Sequence, residues 1–267
     1  MKFPDILDMG LMLSVRVEVV AAVTNFCHSA PSKKELDSLN DERLHVTFVV
    51  HPKLAHHILP QESRNIKGLI TQYRRCRGIG EIGVDLTGQQ VHLQEQLSVF
   101  REYINFYVSK QLLSLVLVLH CRSQGYTSEA SDHCLRVMDQ KVPIANRRSV
   151  RVHRHCYNGS LEEKDKWLQK FPGTMFGFTS IILYSNRHNE LDQVVKSLPL
   201  SKILLESDSP YLLAPVHQNE KFNSPYGVIA VAERIAELKG VSLKEVLTIT
   251  SGNARGLYGM AGVSMKV

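Results

Sequence analysis

The sequence is poor in what would make it a disulfide scaffold, a membrane protein or a disordered chain. Five of its 267 residues are cysteine, an odd number, scattered and never spaced C-x-x-C. That argues against a disulfide framework. It predicts reduced thiols without disulfide partners in an intracellular compartment, cytoplasmic, nuclear or both. The longest mainly apolar stretch, Leu112 to Leu119, falls far short of the ~20 residues that span a bilayer. Asp5, Asp8, Arg16 and Glu18 interrupt the N-terminal apolar run, so neither a secretory signal nor a membrane partner is expected. There is no low-complexity tract, internal repeat or Pro/Gly/Ser-rich linker, and residues 1–267 read as one domain. What is there is ordinary globular composition, 43% hydrophobic and 22% charged. The formal charge of +6 suits an anionic partner such as nucleic acid or a phosphorylated substrate.

Short β-branched runs alternate with helical patterns along the whole chain. The strand candidates are 17–23, 44–50, 79–84, 115–119, 150–153, 174–178 and 203–205. Several are continuous apolar runs, as in parallel sheets covered on both faces. From Gln90 to Lys110, Leu93, Leu97, Phe100, Ile104 and Tyr107 form one stripe of an amphipathic helix. Ser160 with Glu163, and Ser242 with Glu245, have capping-box spacing, and Ser224-Pro225 is a further helix start. This β-α order over this length predicts an α/β protein of the TIM (β/α)8 barrel type, with the first strand degenerate or truncated. A doubly wound open sheet is the alternative. Neither a Walker loop nor a dinucleotide fingerprint at a strand-to-helix turn supports it.

In such a barrel the chemistry sits at the C-terminal strand ends. Those ends carry His51-Pro52, Gly80-Glu81-Ile82-Gly83-Val84-Asp85, His120-Cys121-Arg122, His153 and His155, and Glu206-Ser207-Asp208-Ser209-Pro210-Tyr211. Imidazole and carboxylate recurring at four or more strand ends point to divalent zinc, manganese or magnesium. His153 and His155, two apart, share a strand face. His155, directly before the Cys-aromatic turn, is the expected ligand and His153 its neighbour.

These segments, with His155-Cys156-Tyr157-Asn158-Gly159 and the tail Ser251-Gly252-Asn253-Ala254-Arg255-Gly256-Leu257-Tyr258, resemble the successive signatures of the TatD family of metal-dependent deoxyribonucleases. Val152-His153-Arg154-His155-Cys156 looks most like an animal branch of that family. The resemblance, over roughly residues 17 to 260, implies a metal-dependent phosphodiesterase that hydrolyses DNA, single-stranded or damaged DNA in particular, with one or two Mg2+, Mn2+ or Zn2+ ions. It implies Glu81, His120, His155 and Asp208 as metal ligands, Glu81 bridging two ions. Asp208 and Glu81 are the implied catalytic carboxylates, with Asp208 orienting or deprotonating the attacking water. His51, Arg122 and Tyr211 are the implied substrate contacts.

The family opens on an H-x-H that this sequence does not carry near its start. Pro4 and Ile6 stand where those histidines would fall, or the chain is truncated. Reduced activity is therefore expected. The competing functions are an inactive barrel that binds nucleic acid or protein, and a metal-dependent amidohydrolase or esterase for a small substrate. Cys121 and Cys156 are expected to be buried thiols, Trp167 a packing residue, and Tyr157 and Tyr211 stacking residues at the mouth. Arg74, Arg75, Arg77, Arg147, Arg148, Arg151 and Arg154 are expected to be solvated surface.

Overall fold

A computed structural model describes residues 17–125, 127–184, 188–215 and 220–260. The Pro4–Ile6 segment, where the degenerate or truncated first strand is expected, lies outside the described residues. Seven parallel strands, β1 (Ala22–Phe26), β2 (Leu44–Phe48), β3 (Cys76–Asp85), β4 (Val116–Arg122), β5 (Arg151–Arg154), β6 (Thr174–Phe178) and β7 (Ile203–Leu205), pair in sequence order. Among the described residues β1 and β7 each pair on one side. β1 starts later than the apolar pattern suggests, because its ladder begins where Ala22 meets Leu44. β3 runs longer at both ends, paired with β4 as far as Asp85 opposite Arg122.

Eight α-helices follow: α1 (Lys33–Ser38), α2 (Pro60–Gln72), α3 (Leu93–Ser109), α4 (Glu129–Lys141), α5 (Leu161–Lys170), α6 (His188–Ser197), α7 (Val228–Lys239) and α8 (Leu243–Tyr258) among the described residues. The stripe read from the sequence is the buried face of α3, with Leu97, Phe100, Ile104 and Tyr107 in the core. Ser160 and Ser242 accept the Glu163 and Glu245 backbone N–H groups at the starts of α5 and α8. Ser224-Pro225 opens a 3-10 turn, Pro225–Gly227, which leads into α7.

Side-chain alternation decides what each strand end offers. Along β4, Leu117 and Leu119 point into the large core shared with the helices. Val116 and Val118 join a second, smaller cluster with Val23 of β1, Met175 of β6 and Leu204 of β7. One cluster that touches β1, β4, β6 and β7 requires the sheet to curl around it, as a barrel does. Extending this inward phase to the strand ends brings Asn25, His120, His153, His155, Glu206 and Asp208 to one side, above the small cluster.

The run Gly78 to Gly83 has G-x-G-x-x-G spacing. It lies inside β3 rather than in a strand-to-helix turn, so no helix N-terminus follows it to hold a pyrophosphate. Its glycines serve close packing instead. A Cβ on Gly80 would overlap Val118, and one on Gly83 would overlap the His120 carbonyl.

Not all the arginines expected at the solvated surface lie free there. Arg154 points outward from β5 yet is 2% exposed. Its Nη2 donates to Glu163 Oε1 at 2.7 Å, and its guanidinium lies 4.8 Å from the Trp167 ring centroid. Arginine is usually exposed; here the helical layer supplies a carboxylate and an aromatic face, so it is buried as a pair. Arg75 is likewise tied to structure, its Nη1 donating to Asp41 O at 2.6 Å, and Arg151 Nη1 donates to Leu257 O at 2.9 Å. Arg154→Met should lower the unfolding free energy by about 3–5 kcal/mol, because it leaves the buried Glu163 without its partner. Pairing it with Glu163→Leu should recover most of that loss. Urea denaturation of both variants measures this, and an equally unstable double variant would refute the pair.

Candidate metal centre

Glu81 lies within β3 between Gly80 and Ile82, and its two oxygens have different surroundings. Oε1 accepts from Asn25 Nδ2 at 2.7 Å. The Asn25 amide is itself fixed, its Oδ1 lying 2.5 Å from the Thr47 hydroxyl. Oε2 faces the histidines, 3.2 Å from His155 Nε2 and 3.6 Å from His120 Nδ1. Asp208 Oδ1 lies 3.6 Å from the same His155 nitrogen. One atom each from Glu81, His120 and His155 fits within 4.8 Å. Two imidazole nitrogens and a carboxylate oxygen at that spacing are a donor set for zinc or manganese.

Each histidine is held from behind. His120 Nε2 lies 2.9 Å from Asp85 Oδ2, and His155 Nδ1 lies 2.6 Å from Glu206 Oε2. A carboxylate on one ring nitrogen orients the imidazole and leaves the other nitrogen as the one an ion would take. Asp85 is held in turn by the Thr87 backbone N–H at 2.8 Å, and Glu206 by the Cys156 backbone N–H at 3.1 Å. Cys156 and Asp208 have left-handed φ values of 44° and 54°. Such backbone costs energy in non-glycine residues and clusters at functional sites.

The charge balance follows from the packing. Burial pushes the Glu81 carboxyl up, but His155 and His120 beside it outweigh that and hold it well below the usual carboxylate range. Burial disfavours the charged form of His155, yet Glu206 and Glu81 raise it well above the usual imidazole range. Asp208 is pushed up by burial and by the neighbouring Glu81 and Glu206 carboxylates, against the pull of His155. A carboxylate raised in this way is a better proton acceptor.

All four residues expected to bind metal therefore meet at one place. The expected substrate contacts stand at or after the ends of β2, β4 and β7. His51 packs edge-on against His120 with ring centroids 4.6 Å apart. Burial and the His120 charge depress it to about 4, so it is a neutral imidazole near neutral pH. Its Nδ1 accepts the Lys53 N–H, which leaves Nε2 to donate. Arg122 Nη2 lies 3.2 Å from Cys156 Sγ, and Tyr211 is 67% exposed beside Asp208.

Tyr157 is misjudged in the sequence. It is buried against Phe176 and Phe178, and its hydroxyl donates to Ser160 O. Cys156 is buried and Cys121 half-buried, both free thiols. The sequence reading missed Asn25, Asp85 and Glu206. Asp85 closes the glycine-rich segment already singled out, and Glu206 stands two before Asp208, on the same strand face by alternation.

Among the described residues no helix is long and apolar enough to cross a membrane. A human protein named 3'-5' RNA nuclease TATDN2 is 26% identical over 248 residues, covering 91% of this chain and 31% of that protein. The 3'-5' ssDNA/RNA exonuclease TatD of Erwinia amylovora is 28% identical over 189 residues, covering 68% of this chain and 66% of the relative. The chain thus spans about a third of the first and about two thirds of the second. The crystal structure of YjjV, a TatD homologue from Escherichia coli K12, shares the fold with a TM-score of 0.74 at 21% identity, over 90% of this chain and 86% of that one. The model of the TatD related DNase family matches residues 12–259, and the chain belongs to that family.

Proposed function

We propose that the protein is a metal-dependent phosphodiesterase that hydrolyses nucleic acid. The observation that carries this reading is the convergence of Glu81 Oε2, His120 Nδ1, His155 Nε2 and Asp208 Oδ1, with both imidazoles backed by buried carboxylates. Glu81, His120 and His155 would hold one ion. Glu81 Oε1, the oxygen a bridging role would need, is occupied by the Asn25 amide, and this favours a single tightly held ion. When bound, such an ion would polarise the phosphoryl oxygen and ease deprotonation of the attacking water.

The chain's own groups do the rest. Asp208 accepts the proton of the attacking water, and the water oxygen forms the new P–O bond as the leaving oxygen departs. Arg122 and the His51 N–H donate to phosphate oxygens, where a charged fork and a neutral donor both suit the growing negative charge. Relatives are named for RNA, for single-stranded DNA and RNA, and for DNA. Single-stranded DNA is the first substrate to test, because an exposed aromatic such as Tyr211 can stack on an unpaired base.

A panel of single-stranded DNA, single-stranded RNA, duplex DNA and small amide and ester substrates tests this, with EDTA and with added Mn2+ or Zn2+. Nucleic-acid cleavage abolished by EDTA is expected. Hydrolysis of the amides alone would contradict it. The ion should also stabilise the fold, since only the native state assembles its ligands. At 100 times Kd the gain is about 2.7 kcal/mol. Melting midpoints with EDTA and with metal should differ by several degrees, and identical midpoints would count against the site.

A further inference from the structure

The family's closing segment ends α8 with Tyr258, which the chemistry above does not use. Tyr258 is buried in the small inner cluster with Val116, Val118 and Leu204, below the metal centre. The helix end is fixed there. Asn253 Nδ2 donates to the Leu200 and Ile203 carbonyls at 2.7 and 2.8 Å, and Arg151 donates to Leu257 O.

From this position the Tyr258 hydroxyl lies 2.6 Å from His153 Nδ1. His153, also buried, places Nε2 on Glu206 Oε1, and Glu206 Oε2 meets His155 Nδ1 at 2.6 Å. The fit is tight: a Cβ on Gly177 would overlap both Glu206 Oε1 and His153 Nε2. Both His153 nitrogens are engaged, so it has none left for an ion.

The protons have one consistent arrangement. Burial keeps the Tyr258 hydroxyl protonated, so it can donate to Nδ1. His153 then carries its proton on Nε2 and gives it to Glu206 Oε1. Glu206 Oε2 accepts from His155 Nδ1–H, which leaves His155 Nε2, facing Glu81 and Asp208, as the nitrogen an ion would take.

We propose that His153 and Tyr258 are positioning residues that brace Glu206, and through it His155, so that the last helix sets how tightly the metal centre binds its ion. This rests on the metal-centre reading above. Outer hydrogen-bond partners of metal-bound histidines typically change affinity by about 10–100-fold. The test is a calorimetric titration of EDTA-stripped protein with Zn2+, alongside the visible spectrum of the Co2+-loaded protein. Tyr258→Phe, which removes one hydroxyl and keeps the ring, should weaken binding about tenfold and alter the Co2+ bands. His153→Phe should weaken it by a similar factor or more. His153→Gln, whose amide can still donate to Glu206 and accept from Tyr258, should restore most of the affinity.

Glu81→Ala is the control that separates the two readings. If Glu81→Ala loses the ion while Tyr258→Phe and His153→Phe bind as wild type, the brace is overturned and the metal centre stands. A loss in His153→Phe that His153→Gln does not restore would also overturn it, because packing would then be the cause. If Glu81→Ala keeps its ion, the metal centre itself is misplaced, and the brace falls with it.

Discussion

Glu81→Ala should strip the ion from this protein, while Asp208→Ala should not. Glu81 Oε2 is the only carboxylate oxygen within 4 Å of both His120 and His155 among the described residues. Without it two buried imidazoles face each other with no shared carboxylate oxygen between them, and the ion loses its one anionic ligand common to both. Changes one shell further out cost about 10–100-fold in affinity, so removal of the ligand itself should cost at least about 100-fold. Asp208 approaches His155 alone and is the more exposed of the two carboxylates, 24% against 12%. Its removal should reduce affinity only a few-fold. Metal content of the purified variants decides the matter. Equal and full loading in both would dismiss the ligand assignment.

The second large effect is on turnover. Asp208→Asn should keep the ion and lose cleavage. Asp208 is the carboxylate that burial and its acidic neighbours raise, which is the ground for proposing it as the proton acceptor of the site. Positioned general bases contribute about 10²–10⁴-fold, so kcat should fall by that range with KM little changed. A loss confined to KM would mean that Asp208 binds substrate rather than moving a proton. Arg122→Lys should show the opposite split, mostly a raised KM, because an ammonium cannot reproduce the forked contact to phosphate.

Much of this was legible in the sequence because a parallel barrel ties function to strand ends. Once the strand runs are placed, alternation brings His120, His155 and Asp208 to one face without further information. The edges of strands were less legible. β1 starts at Ala22 rather than at residue 17 because a strand exists where a partner pairs with it, and that depends on Leu44. The partners behind the ligands were missed for a similar reason. Asp85 and Glu206 look like ordinary acidic residues until β3, β4, β5 and β7 set them against His120 and His155. Arg154 and Tyr157 were misplaced because composition expects charge and hydroxyl at the surface. Here a helix layer with Glu163, Ser131 and Trp167 covers the first, and the Ser160 carbonyl satisfies the second.

The most direct test of the central claim is an Mn2+ titration of EDTA-stripped protein during cleavage of labelled single-stranded DNA, run in parallel on Glu81→Ala. The account predicts a rate that rises from background and saturates near one ion per chain in the wild type, and no rise in the variant. Cleavage that needs no metal, or that saturates identically in Glu81→Ala, would contradict it.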